Sequence, residues 1–214
     1  MNEITLHNTL PAIFAGRDDT PSDVWQRELR FERGRHYLIT AESGTGKSSL
    51  CSYLFGYRID YSGTISFDGK DIRSLSIADW CRIRSSEIAY LPQDMRLFNE
   101  LTTLENIRLK NDMTGFKSDA QIDRMLEQLG IADKRDTLIS RLSIGQQQRV
   151  AIVRTLCQPA SFILLDEPVS HLDVANNRIL ADLVTAEAEA QGAAIIATSV
   201  GNNVAITVDR HLAL

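Results

Sequence analysis

The chain has 214 residues, 43% of them hydrophobic and 24% charged, with a formal net charge of -5. These are ordinary values for one globular domain with a real core. The acidic balance excludes a broad polyanion-binding surface built on excess Lys and Arg, so no nucleic-acid partner is expected. Cys51, Cys81 and Cys157 form no CxxC pair, which excludes the usual metal-ligand and disulfide frameworks.

In chain order, MNEITLHNTLPAIF has no basic stretch followed by an apolar core, so no secretion signal is expected. No run of about 18 apolar residues occurs that would span a bilayer. GRDDTPSD, residues 16–23, reads as a turn-rich loop. HYLIT (36–40) is a short aliphatic run without polar alternation, the pattern of a parallel strand covered on both faces. It leads into Ala41, Glu42, Ser43, Gly44, Thr45, Gly46, Lys47, Ser48 and Ser49, with a helix starting near Lys47. Strand, glycine loop, Lys-Ser and helix in that order make a Walker A phosphate loop: amides surround the phosphates, Lys47 neutralises the β and γ charges, and the Ser48 hydroxyl ligates Mg²⁺. The strict pattern has a glycine where Ala41 stands. If that backbone needs φ > 0, alanine costs about 1 kcal/mol; if it needs only a small side chain, the cost is near zero. A dinucleotide-binding turn is disfavoured because Ser49 takes the place of its third glycine.

GTISFDGKDI (63–72) alternates around Asp68-Gly69 and predicts an antiparallel hairpin beside the main sheet. Residues 94–158 read as a mainly helical subdomain inserted into a core of 1–93 and 159–214. Within it, 118–130 predicts a helix capped by Ser118 and stopped by Gly130. FILLDEP puts Asp166 and Glu167 at the end of a second buried strand, 162–166. Asp166 suits the Mg²⁺ shell, and Glu167 suits orienting or deprotonating a water. A third strand is expected at 193–198 and a last one at 208–214. The expected fold is α/β, a P-loop NTPase core with a mostly parallel sheet, an antiparallel β element and an inserted helical subdomain.

RLSIGQQQRVAIVRTL (141–156) starts a further helix. Ser143 is placed to cap it, and free amides near Gly145 can bind an anion at the positive helix end. Phosphate loop, acidic pair and LSIGQ (142–146) together resemble the nucleotide-binding domain of the ATP-binding-cassette family, whose signature is LSGGQ. The resemblance covers nearly the whole chain. It implies an ATPase subunit of a transporter, cytoplasmic and peripheral at the inner face of the cell membrane, carried by separate transmembrane permease subunits. It further implies a head-to-tail, nucleotide-dependent homodimer around two Mg-ATP, with Ser143, Gly145 and Gln146 meeting the γ-phosphate held by the second protomer. YLPQD resembles the family's Q-loop, in which Gln93 senses Mg²⁺ and water. SHLD (170–173) resembles the D-loop, in which Asp173 faces the second protomer. LFNELTTLENI (97–107) resembles the segment that meets membrane-subunit coupling helices. An early aromatic stacks on the adenine in this family; Phe14 is the candidate here, the alternative being a buried residue at the end of the first strand.

Three positions depart from the family pattern: Ala41, Ile144 in place of a signature glycine, and Ser199 where the switch histidine would stand. Ile144 is β-branched, favours extended backbone and is bulky beside an anion site. The Ser199 hydroxyl can donate to the γ-phosphate without the charge of an imidazolium. ATP binding with slow hydrolysis is the expectation. His171, in the D-loop, is expected to be exposed or packed. The alternative function is an ATP-gated regulatory or clamp-like module with little turnover and no transport role. A small-molecule kinase is disfavoured by LSIGQ.

Overall fold

A computed structural model describes residues 1–16, 22–42 and 44–214. Ser43 and residues 17–21 of the expected turn-rich loop lie outside the described residues. The chain opens with β1 (Glu3–Pro11), β2 (Glu28–Glu32), β3 (His36–Thr40), α1 (Lys47–Leu54), β4 (Tyr61–Phe67) and β5 (Lys70–Asp71). It continues with α2 (Ile77–Ser86), β6 (Ile88–Leu91), α3 (Thr103–Asn111), α4 (Asp119–Gln128) and α5 (Ile144–Leu156). It closes with β7 (Phe162–Asp166), α6 (Val174–Gln191), β8 (Ala194–Ser199) and β9 (Arg210–Ala213).

Five strands form a parallel sheet in the order β6-β7-β8-β3-β9, and four form an antiparallel sheet in the order β2-β1-β4-β5. The apolar runs lack polar alternation because both faces of the parallel sheet are covered. Ile163, Leu165, Ile195 and Ala197 point into a core shared with the helices, whereas Phe162, Leu164, Ala194 and Ile196 point into an aromatic-rich core beneath the antiparallel sheet. Each such Ile, Leu or Phe side chain contributes about 1.5–3 kcal/mol on burial. α1 contributes Leu50, Tyr53 and Leu54 to the second core. Ile107, Ile122, Leu126 and Ile152 of α3, α4 and α5 join Leu38, Ile163 and Ile195 of the sheet in the first, so the helical region and the sheet share one apolar core.

Local chemistry explains where the elements start and stop. Asp68 and Gly69 both have positive φ, 47° and 81°, as a two-residue hairpin turn requires. Ser76, Thr102, Ser118 and Ser143 cap α2, α3, α4 and α5 through capping boxes with Asp79, Glu105, Gln121 and Gln146. Ile144 is the first residue of α5: the Ser143 cap overrides the extended preference of a β-branched residue. Three expected elements shift at their ends: α4 stops at Gln128, two residues short of Gly130 (φ 65°), β8 runs from Ala194 to Ser199, and the last strand is confined to Arg210–Ala213.

A register shift between His7 and Leu10 in the β1–β4 pairing brings the two backbones together at Gly63. A Cβ there would lie 2.2 Å from the Asn8 carbonyl oxygen, and Gly63 has φ 76°. Gly63→Ala is expected to destabilise the fold by about 3 kcal/mol, read as a lower urea midpoint at unchanged slope.

Candidate nucleotide site

The site is assembled at the carboxyl ends of three adjacent strands, β7, β8 and β3. Pairing of Thr40 with Ser199 and of Asp166 with Thr198 sets these ends side by side. The phosphate loop leaves β3 and enters α1 through Gly46, whose φ of 100° a side chain would not tolerate. A Cβ on Gly46 would also sit 3.0 Å from Phe14 and 3.2 Å from Trp25. Trp25 secures the loop by donating Nε1–H to the Thr45 carbonyl at 3.1 Å. The Thr45 hydroxyl donates to the Glu42 carbonyl at 2.9 Å. Ala41 is not among the residues with positive φ, and its N–H donates to the Ser199 carbonyl at 3.2 Å. Alanine at that position is therefore unstrained.

Lys47 is buried and donates from Nζ to the carbonyls of Glu42 (2.7 Å) and Ala41 (3.4 Å). Burial lowers its pKa, and the carboxylates of Glu167 and Asp166 oppose that shift. Asp166 is 2% exposed. The Thr198 hydroxyl donates to its Oδ1 at 2.7 Å, and Ser48, in the first turn of α1, stands near enough to lower its pKa. Burial pushes the Asp166 pKa up, while Thr198, Ser48 and Lys47 pull it down; burial prevails. A buried carboxylate beside the serine that follows the loop lysine supplies two hard oxygens suited to Mg²⁺. Among the described residues no group of three or more His, Cys, Asp or Glu could hold a metal ion by itself. Mg²⁺, which characteristically takes one or two carboxylates plus substrate phosphates and waters, fits that donor set.

Glu167 has φ 53°, a left-handed conformation uncommon for this residue type and of the kind found at functional sites. Its N–H donates to Thr198 Oγ1 at 3.3 Å, its carbonyl accepts from Gln148 Nε2 at 3.2 Å, and its carboxylate accepts from Gln93 Nε2 at 3.2 Å. Gln93 and Glu167 thus meet across 74 residues of sequence. Together with Gly44, Gly46, Lys47, Ser48 and Ser49 they line a cavity of about 280 Å³.

Ser199 is not brought into this cavity. It is buried, and its hydroxyl donates to the Asn202 carbonyl at 2.8 Å, the nearest way to satisfy a buried O–H. The Ser199 hydroxyl is thus turned to its own loop and not to the Lys47 cavity in this structure. Phe14 follows β1 in a short 3-10 turn, is 7% exposed and lines the cavity. Its neighbour Ile13, 67% exposed, and Arg58 line the same cavity. Sequence reasoning assigned neither, because no motif reaches them. Thr198 and Gln148 were missed as well; Gln148 lies within QQQ, but its partners are remote in sequence.

Ser143, Gly145 and Gln146 lie outside the cavity lining. The Ser143 Oγ accepts from the Gln146 N–H at 3.3 Å and the Gln146 side chain accepts from the Ser143 N–H at 2.9 Å. Gly145 is tightly packed against the D-loop: a Cβ would lie 3.1 Å from the His171 carbonyl. Ile144 is 47% exposed. Asp173 caps α6 by accepting from the Asn176 N–H at 2.8 Å, and His171 is exposed.

A protein-family model described as ABC transporter matches residues 26–170. The lipoprotein-releasing system ATP-binding protein LolD of Shewanella frigidimarina is 30% identical over 190 residues, covering 87% of this chain and 80% of LolD. The ABC transporter ATP-binding protein YtrE of Bacillus subtilis is 30% identical over 172 residues, covering 79% of this chain and 74% of YtrE. Among solved structures, dimeric MJ0796, described as a bacterial ABC transporter cassette, is similar with a TM-score of 0.74 at 27% identity, covering 91% of this chain and 87% of that one.

The raised pKa of Asp166 carries a pH signature. Its folded value lies above the ordinary 3.8, so the folded protein retains a proton that the unfolded chain releases. Stability therefore falls as pH rises from 3.8 through the folded pKa. Asp166→Asn keeps an oxygen for Thr198 and removes the charge. In magnesium-free, nucleotide-free buffer the variant is expected to melt above the wild type at about pH 7, the advantage vanishing below about pH 3.8.

Proposed function

The chain belongs to the ABC transporter family as one of its ATP-binding subunits, an ATPase, and on that premise we propose that it binds Mg-ATP at the Lys47 cavity and closes head-to-tail on a second copy to drive separate transmembrane subunits. The observation that carries the reading is the buried Asp166–Thr198 hydrogen bond next to Glu167, whose carboxylate meets Gln93 in the cavity that Lys47 and Ser48 also line. In this reading residues 94–158 act as a helical subdomain on a core of 1–93 and 159–214.

Residues 41–49 hold the phosphate chain by their amides, with Lys47 on the β and γ charges. Ser48 and Asp166, with Gln93, would hold Mg²⁺, which would supply neutralisation of the phosphate charge. Glu167 polarises the attacking water and accepts its proton, held in place by Gln93 on its carboxylate and Gln148 on its carbonyl. Ser143, Gly145 and Gln146 present a capped helix start to the nucleotide of the second copy, and Ile144 and Asp173, both exposed, are free to meet that copy. Phe14, with Ile13, borders the adenine. With Ser199 turned to Asn202, no switch donor reaches the γ-phosphate from that loop, and hydrolysis is slow.

A second cavity, also about 280 Å³, supports the membrane-subunit reading. It is lined by Tyr57, Tyr90, Pro92, Phe98 and Leu109 among others, and Tyr57, Phe98 and Leu109 are exposed. Phe98 belongs to the segment expected to meet coupling helices. No helix among the described residues is long and apolar enough to cross a membrane. Attachment at the cytoplasmic face through this groove is the corresponding proposal. The relatives named above are transporter ATP-binding proteins by name or description and none favours a regulatory clamp.

Glu167→Gln is expected to lower phosphate release at least about a hundredfold and to trap a dimer with Mg-ATP, read by light scattering. A monomer under those conditions, with or without a membrane partner, would sink the closing mechanism. Ser199→His is expected to speed phosphate release by about tenfold or more. A fast wild type unaffected by this change would remove the slow-hydrolysis reading.

A further inference from the structure

Among the described residues lining the nucleotide cavity, two are cationic: Lys47 and Arg58. No motif assigns Arg58. Its side chain is 42% exposed, so it reaches a ligand without a large desolvation cost. Nη1 donates to the Ser49 hydroxyl at 3.0 Å, Nε donates to Asp60 Oδ1 at 2.9 Å, and Nη2 donates to Asp60 Oδ2. A guanidinium has five N–H groups. These contacts use three, and two remain for an anion in the cavity. Its carbon lies 5.5 Å from the centre of the Tyr53 ring, which packs beneath it.

The aromatic neighbours connect Arg58 to the residues that flank the glycine loop. Tyr53 meets Trp25 edge to face at 6.5 Å, and Trp25 and Phe14 flank Gly46 together. Arg58 is thus tied to Ser49 and, through Tyr53 and Trp25, to the aromatic residues flanking the loop, and no hydrogen bond among the described residues joins it to Gln93 or Glu167. A nucleotide whose terminal phosphate lies at Glu167 and whose base lies at Phe14 presents its α-phosphate to Ser49 and Arg58. We propose that Arg58 is a nucleotide-binding residue that grips the α-phosphate, with Asp60 and Tyr53 holding the guanidinium in place. This inference rests on the nucleotide reading of the cavity.

The test is calorimetric titration of wild type, Arg58→Ala and Arg58→Lys with Mg-ATP, Mg-ADP and the α-thio analogue of ATP, alongside melting curves without nucleotide. Arg58→Ala is expected to weaken ATP and ADP alike, by about tenfold, or 1.4 kcal/mol, and Arg58→Lys to recover part of the loss. The α-thio substitution is expected to weaken binding to wild type and to have no further effect on Arg58→Ala, the sign of a shared contact. Unchanged affinity in both variants, a loss confined to ATP, or a full α-thio effect persisting in Arg58→Ala would each overturn the assignment. If wild type binds neither nucleotide, the cavity reading itself fails. If wild type binds both and Arg58→Ala binds them equally well, only the role of Arg58 fails.

Discussion

A carboxylate that is 2% exposed at the end of a fully buried strand survives only with hydrogen-bond partners, and for Asp166 these come from other elements. Thr198 donates to it from β8, the neighbouring strand, and Ser48, in the first turn of α1, stands close enough to lower its pKa. Strand order places those elements together: β8 lies between β7 and β3, and α1 follows β3. A slip of one residue in the β7–β8 register would turn Thr198 to the opposite face and leave Asp166 without its shortest hydrogen bond. The metal shell, the phosphate loop and the water-orienting glutamate all depend on that register, because Thr198 also accepts the Glu167 N–H.

The two cores divide the work of holding this arrangement. Beneath the antiparallel sheet, Phe14, Trp25 and Tyr53 form a stiff aromatic bed for the glycine loop and for Arg58. On the helical side, Arg154 of α5 donates to the carbonyls of Met95 and Arg96, at 2.8 Å for Arg96. Those two residues have φ of 56° and 48°. Unusual backbone thus gathers just after Gln93 and at Glu167, at the margins of the cavity, where surrounding packing sustains the strain. The bend at Met95 and Arg96 also joins the nucleotide cavity to the aromatic groove, since Gln93 lines one and Arg96 the other.

The three departures from the family pattern have unequal physical weight. Ala41 costs nothing, because its backbone has no need of positive φ. Ile144 begins a well-capped helix and spends its bulk outward, on a face that the closed dimer would have to accommodate. Ser199 changes most. A histidine ring could not be satisfied by the same short loop contact, whereas a serine hydroxyl is small enough to turn back onto Asn202.

What the amino-acid sequence determined by itself is what depends on neighbours in the chain. Strands β3 and β7, the Asp68-Gly69 turn, the loop around Gly46 and the Ser118 and Ser143 caps were legible because each is set by residues a few positions apart. β6, four residues long, has too short an apolar run to carry a period of its own. The partners of Asp166 and Glu167, the inward turn of Ser199 and the presence of Ile13 and Arg58 in the cavity were decided only by tertiary structure. The physical reason is that strand order and register bring together hydroxyls, amides and guanidinium groups that are remote in sequence. A local pattern can announce a strand, but not which neighbour completes its hydrogen bonds.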